Sequence, residues 1–173
     1  KFLSPSTLIS QIPKKTNLVF IANPSQPVEN CFSVDQLHEI AKFCEKENQV
    51  LVIDEAYQYF GGPDAIPLIN DFNNIAVMRS FSKAFGGASL RLGYIVGSVE
   101  SLKELQAFRL AHEGNSFSYY IGSRLIEAFD EDVKLNIGNI IAGRNYFRNG
   151  CLNLGLEAWG EVGNFVMVRF KTH

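Results

Sequence analysis

Apolar residues along this chain come first in short unbroken runs and later at helical spacing. Asn17-Leu18-Val19-Phe20-Ile21-Ala22 is a run of strand formers that stops at Asn23-Pro24, and it predicts a buried strand. Residues 49–53 predict a second strand, cut off at Asp54. Residues 75–78 predict a third, and Gly93-Tyr94-Ile95-Val96-Gly97 a fourth. Between the first two, Ser33-Val34-Asp35-Gln36 has the form of a capping box, with Ser33 as N-cap and Gln36 three residues on. Val34, Leu37, Ile40, Ala41 and Cys44 then recur at helical spacing, so a helix is expected over 34–47. From residue 99 the pattern changes, and helices are expected over 99–112, 116–130 and 131–154. The run Asn164-Phe165-Val166-Met167-Val168-Arg169-Phe170 predicts a late strand, with Gly160 and Gly163 loosening the chain before it.

Strands that are apolar on both faces and separated by helices imply an α/β fold. Its core is a mostly parallel, doubly wound sheet covered on both sides. The looser stretch at 155–163 suggests a domain change, with 1–155 in the large unit and 156–173 opening a small α+β unit. No internal repeat or low-complexity segment is present. In open parallel sheets, ligands sit beyond the carboxyl ends of the strands. Asn23, Asp54 and Ser80 each stand at such an end, so a crevice is expected where the three converge.

Composition narrows the class of function. A chain of 173 residues is long enough to bury a substantial core. Its net charge of −2 speaks against a broad basic surface for nucleic acid, but not against one local phosphate site. No apolar run reaches the roughly 18 residues needed to span a bilayer, and no signal peptide opens the chain. The first residues, Lys1-Phe2-Leu3-Ser4, lack a methionine, as expected of a processed or excised piece. Cys31, Cys44 and Cys151 have no disulfide or metal spacing and read as idle thiols of a reducing cytoplasm. His38 and His112 read as surface histidines, and their spacing suggests no metal site.

The densest chemistry lies in Ser80-Phe81-Ser82-Lys83-Ala84-Phe85-Gly86-Gly87-Ala88-Ser89-Leu90-Arg91. Hydroxyls and backbone N–H groups donate to phosphate oxygens, and an arginine adds a charged fork. Taken alone, a Ser/Gly connection is a loop and a lysine is a solvated charge. A free lysine titrates near ~10.4, so its amine becomes a nucleophile only when desolvated or set near other cations. Arg91 would supply such a cation if the loop folds back. Upstream, Asp54-Glu55-Ala56-Tyr57 sets a carboxylate and a phenol at a strand end. Alone, Asp54 reads as a cap or turn former, and Glu55 has no assigned role.

Together these segments resemble the fold-type I aminotransferases that use pyridoxal 5'-phosphate, nearest to the histidinol-phosphate aminotransferase branch. Ser-x-Ser-Lys with an arginine eight residues on is that family's lysine signature, matched by Ser80, Ser82, Lys83 and Arg91. The resemblance implies that Lys83 is the catalytic residue linked to the cofactor. Ser80, Ser82 and Arg91 would then hold the phosphate. Asp54 would pair with the pyridine nitrogen, and Tyr57 would bond the ring's phenolic oxygen. Asn23-Pro24-Ser25-Gln26-Pro27-Val28-Glu29 lines up with Asn-Pro-x-Asn-Pro-Thr-Gly of the family. Gln26 thus replaces the asparagine on the same phenolic oxygen, its donor ~1.5 Å farther out. Glu29 replaces the turn glycine, at a steric cost if that position needs φ > 0.

The resemblance runs over about residues 17–170 and matches only the second part of the family's cofactor domain and the start of its small domain. It implies a fragment of a cytoplasmic homodimer. The full enzyme would act on an amino acid or amino-phosphate and a 2-oxo acid, with neither nucleic acid nor membrane as partner. Two alternatives stay open: decarboxylation of a phosphorylated amino acid, or a silent domain that keeps the fold. Phe117, Tyr119, Tyr120 and Phe129 are expected to pack a helix onto the sheet, with Tyr119 or Tyr120 lining a pocket or dimer contact as the alternative. Arg169 is expected in a salt bridge rather than on a substrate carboxylate.

Overall fold

The computed structural model describes residues 3–109 and 113–170. It opens with helix α1 (Pro5–Gln11), of which hydrophobic spacing gives no sign. The local signal is the Ser4-Pro5 pair: Ser4 Oγ accepts the N–H of Thr7 at 3.2 Å, and proline at the first turn lacks an N–H that would find no helical partner there. Helix α2 (Val34–Lys46) starts at the expected capping box. Ser33 Oγ accepts from Gln36 N at 3.3 Å, and Ser33 N donates to Gln36 Oε1 at 2.9 Å.

The four expected strands form one sheet: β1 (Leu18–Ala22), β2 (Val50–Asp54), β3 (Ile75–Ser80) and β4 (Gly93–Gly97), in that order. The β1–β2 and β2–β3 pairs are parallel, and β4 returns antiparallel to β3. The sheet is therefore mostly parallel, as expected. Leu37, Ile40, Ala41 and Cys44 of α2 pack on Val19 and Ile21 of β1, Leu51 and Ile53 of β2, and Ile75 and Val77 of β3. Each of the valine, leucine and isoleucine side chains contributes about 1.5–3 kcal/mol on burial.

Cover on both faces is reached only in part. Leu18 and Phe20 are each 54% exposed, and Val50 and Ile95 on the same face are exposed as well. A two-sided apolar run says that both faces favour cover, but not which element supplies it. Among the described residues, α2 lies on one face only.

Helix α3 (Val99–Gln106) is shorter than expected, and residues 110–112, with His112, lie outside the described residues. Helix α4 (Ser116–Glu127) passes through a π-helical turn, Phe129–Val133, into α5 (Lys134–Asn153). The aromatic residues of α4 depart from expectation: Phe117, Tyr119 and Tyr120 are exposed, while the small Ser118 and Gly122 face inward. A Cβ on Gly122 would lie 2.4 Å from Leu92 Cδ2, so Leu92 would have to shift to admit a side chain there. Phe129 does pack, against Tyr59 and Phe85. The late strand shrinks to β6 (Met167–Arg169), paired antiparallel with β5 (Glu157–Trp159), which the sequence did not signal. Arg169 bonds Glu157 at 2.8 Å, the expected salt bridge.

All three cysteines are free. Burial pushes the Cys31 thiol up to about 11, with the Glu29 and Glu55 charges adding to it, and pushes Cys44 up to about 11 as well. His38 is exposed and meets the Phe72 ring edge-on. No helix among the described residues is long and apolar enough to cross a membrane.

The residue without an expected role, Glu55, forms a buried ion pair in the core. Its Oε2 accepts from Arg79 Nε and Nη2 at 2.8 and 2.7 Å, and its Oε1 from Ala65 N at 2.6 Å. Arg79 also reaches Asp64 at 2.6 Å. Burial pushes the Glu55 carboxyl up. Burial also works against the charge on Arg79, but the two carboxylates outweigh it and hold the guanidinium above its usual range. Three N–H donors on one carboxylate favour the ionised pair. Breaking a buried pair by removing one partner leaves a bare charge. Glu55→Ala should therefore lose about 3–5 kcal/mol in urea unfolding. A loss below about 1 kcal/mol would mean that the pair does not form in solution.

Candidate active site

Strand pairing brings the three strand ends together. Asn23 N donates to Asp54 O at 2.9 Å and Glu55 N to Met78 O at 2.8 Å, so both ladders run past the last strand residues. Successive side chains alternate between faces. Asp54 and Ser80 accordingly share the face opposite Glu55 and Arg79. Asp54 is half-buried, and its Oδ1 accepts from Ala56 N at 2.9 Å. Asn23 turns the other way: it is fully buried and exchanges two hydrogen bonds with the Phe32 backbone, at 3.0 and 2.7 Å. It shapes the loop rather than lining the crevice.

The loop after β1 carries Gln26 across to Tyr57. The Tyr57 hydroxyl donates to Gln26 Oε1 at 2.5 Å, and Lys83 Nζ lies 5.3 Å from the centre of the Tyr57 ring. Amide, phenol and amine, from three separate segments, thus meet at one place. The Asn23-Pro24 and Gln26-Pro27 peptides are cis. Glu29 does not adopt φ > 0, so the steric cost considered for it does not arise. Its carboxylate is buried instead and takes up two backbone N–H groups, those of Glu161 and Val162.

The connection 81–92 folds back as a closed loop. Phe81 N donates to Leu92 O at 3.0 Å and Gly87 N to Phe81 O at 2.8 Å. Gly86, at φ +64°, makes the turn that a side chain would resist. Ser80 Oγ accepts from Ser82 N at 3.0 Å, which joins the two hydroxyl residues at the head of the loop. Arg91 stands at the other stem, next but one to Gly93, the strand partner of Ser80. Its guanidinium is exposed and donates to Ala88 O at 3.1 Å. Lys83 is also exposed, so the described residues do not supply the desolvation expected for it. A cleft of about 520 Å³ adjoins Lys83, lined among others by Phe85, Leu125, Asp132 and Asn136.

The donor set fits pyridoxal phosphate chemically. It offers a carboxylate for a ring nitrogen, a phenol and an amide for a phenolic oxygen, and hydroxyls and a guanidinium for a phosphate. The amine suits an aldehyde. Among the described residues no group of three His, Cys, Asp or Glu is placed to hold a metal ion.

Comparison with known proteins decides the family. The family model "Aminotransferase class I and II" matches residues 4–173. The chain belongs to the class I and II aminotransferase family. Histidinol-phosphate aminotransferase 1 of Carboxydothermus hydrogenoformans is 34% identical over 154 residues, which are 89% of this chain and 43% of that protein. The chain therefore spans less than half the length of that curated relative. Among solved structures, histidinol-phosphate aminotransferase of Sinorhizobium meliloti in complex with pyridoxal-5'-phosphate superposes with a TM-score of 0.82 at 24% identity, covering 95% of this chain and 45% of that one. A decarboxylase from Sulfurospirillum multivorans superposes at 0.81 with 21% identity, over 96% and 50%. At these identities the likeness is one of fold, and it establishes the aminotransferase fold for the chain.

Arg91 occupies the left-handed region, at φ +51° and ψ +42°. For a residue with a Cβ this conformation costs on the order of 1 kcal/mol, and such strain concentrates at functional positions. Without cofactor, Arg91→Gly should be at least as stable as Arg91→Ala, by up to about 1 kcal/mol, because glycine adopts this conformation freely. Thermal unfolding of the two variants side by side tests this. Arg91→Ala proving clearly the more stable would contradict the left-handed geometry.

Proposed function

We propose that this chain forms the lysine-bearing part of a pyridoxal-phosphate-dependent aminotransferase. In this reading the whole protein moves an amino group between an amino acid or amino-phosphate of the histidinol-phosphate kind and a 2-oxo acid, as a cytoplasmic homodimer. The observation that carries the proposal is the meeting of Gln26, Tyr57 and Lys83 beside the ends of β2 and β3.

Asp54 would hold the pyridine nitrogen of the cofactor, and a charge-assisted bond of that kind contributes about 1.5–3 kcal/mol. Tyr57 and Gln26 would hold its phenolic oxygen. Ser80, Ser82 and Arg91 would hold its phosphate, which suits the folded-back loop that joins their stems. The chemistry supplied by bound pyridoxal phosphate is an electron sink for charge that develops at the substrate's α-carbon. Lys83 would hold the cofactor before substrate binds, and its Nζ, once freed by the incoming amine, would take and return the proton of that carbon as general base and acid. The face of the Tyr57 ring lies 5.3 Å from Nζ, within cation–π range of the amine. The separate pairing of β5 with β6 supports a unit boundary near residue 155, with 156–173 opening the small domain.

Cofactor titration of the full-length protein tests the reading. Lys83→Ala should abolish the lysine-dependent visible absorption band and lower amino transfer by about 10²–10⁴-fold. A band that survives Lys83→Ala unchanged would sink the assignment. Carbon dioxide release in place of oxo-acid formation would point to the decarboxylase alternative.

A further inference from the structure

Glu29 is an acidic residue with only 5% of its surface exposed, near the end of a loop that otherwise shows Gln26, Pro27 and Val28 to solvent. Its Oε1 accepts the backbone N–H of Glu161 and of Val162, the latter at 2.7 Å. Those two residues lie in the turn between β5 and β6, more than 130 positions away, as the separation of 133 between Glu29 and Val162 records. A buried carboxylate that replaces its hydration with two N–H donors is costly to strip of either one.

A second contact holds the same turn. Arg144 of α5, itself 9% exposed, donates through Nη1 to Phe60 O at 3.0 Å and to Gly163 O at 2.6 Å. Gly163 N donates back to Phe60 O at 3.2 Å. Beyond the turn, Phe165 meets the Tyr57 ring edge-on, 5.6 Å between centres. Gly163 permits this close fold, with φ +79° and a Phe165 ring atom 2.5 Å from where a Cβ would stand. The 160–165 segment is thus clamped to the Tyr57–Phe60 stretch by Arg144 and to the Gln26 loop by Glu29.

We infer that Glu29 is a positioning residue for the cofactor contacts. Its carboxylate ties the loop 23–30 to the β5–β6 turn, which keeps the Gln26 amide on the Tyr57 hydroxyl. The inference rests on the proposed cofactor reading, in which Gln26 and Tyr57 share one ligand oxygen. It explains how a side chain one methylene longer than asparagine is kept at a defined place although Gln26 is exposed. Two prolines flank Gln26 and restrict the loop locally, and the Glu29 bonds fix where that stiff loop sits. Without them the loop is held from one side, by Asn23 on the Phe32 backbone and Ser25 N on Asn30 O.

The test uses the full-length protein, with pyridoxal phosphate as probe. Glu29→Asp keeps the charge and draws the carboxylate back by about 1.5 Å. Glu29→Gln keeps an acceptor oxygen in reach. In the cofactor-free protein, amide hydrogen exchange at Glu161 and Val162 should quicken about tenfold or more in Glu29→Asp and be restored in Glu29→Gln. The Kd for pyridoxal phosphate should rise about tenfold in Glu29→Asp and return to within about twofold in Glu29→Gln. Added to Gln26→Ala, Glu29→Asp should weaken binding no further, because both changes act at one contact. Faster exchange with an unchanged Kd would overturn the inference, as would losses that multiply in the double variant. A wild-type protein that binds no pyridoxal phosphate would instead bring down the functional reading, and the role of Glu29 with it. The exchange measurement would still report whether the tie exists.

Discussion

Asp54 and Glu55 are neighbours in the chain and point opposite ways, and the candidate site depends on that opposition. Glu55 turns into the core and locks onto Arg79 of the adjacent strand. With those two side chains held on one face, alternation sets Asp54 and Ser80 on the other. A slip of one residue in the β2–β3 register would put the half-buried Asp54 carboxylate inside the core and expose its buried neighbour. The ion pair costs desolvation, which the three N–H donors on Glu55 offset.

The second organising feature is the distance in sequence over which the Tyr57 surroundings are assembled. Gln26 comes from the loop after β1, Lys83 from the loop after β3, and Phe165 from the turn beyond α5. None of these segments has regular structure at the contact. The first and the last are held by backbone bonds from buried polar side chains: Asn23 on Phe32, Glu29 on the β5–β6 turn, Arg144 on Phe60 and Gly163. Buried polar groups of this kind rigidify loops when they are fully partnered. They also account for three residues that hydrophobic patterning ignores.

Much of the fold was legible where local physics dominates. Four apolar runs became the four strands, and the Ser33–Gln36 capping box started its helix at the expected place. The failures have local causes too. Helix α1 is too short for periodicity to register, though Ser4-Pro5 marks its start. Aromatic residues on α4 read as core because their type is usually buried, yet the packed face is set by Ser118 and Gly122, whose small size lets the helix approach Leu92. Cover on the Leu18 and Phe20 side of the sheet depends on elements beyond β1 and α2, which a strand's own composition cannot name.

By itself the sequence determined the four strands of the large sheet, the start of helix α2 and the chemical types gathered near the sheet's carboxyl ends. All three follow from short-range rules of periodicity, capping and motif spacing. Only the tertiary structure decided what Glu55, Glu29 and Arg144 do, that Lys83 lies exposed over the Tyr57 ring, and that Arg91 adopts a left-handed backbone. A charged side chain's role is set by which donor or acceptor lies within about 3 Å of it. For these residues most of the partners stand tens of positions away, at distances in sequence that no local pattern encodes.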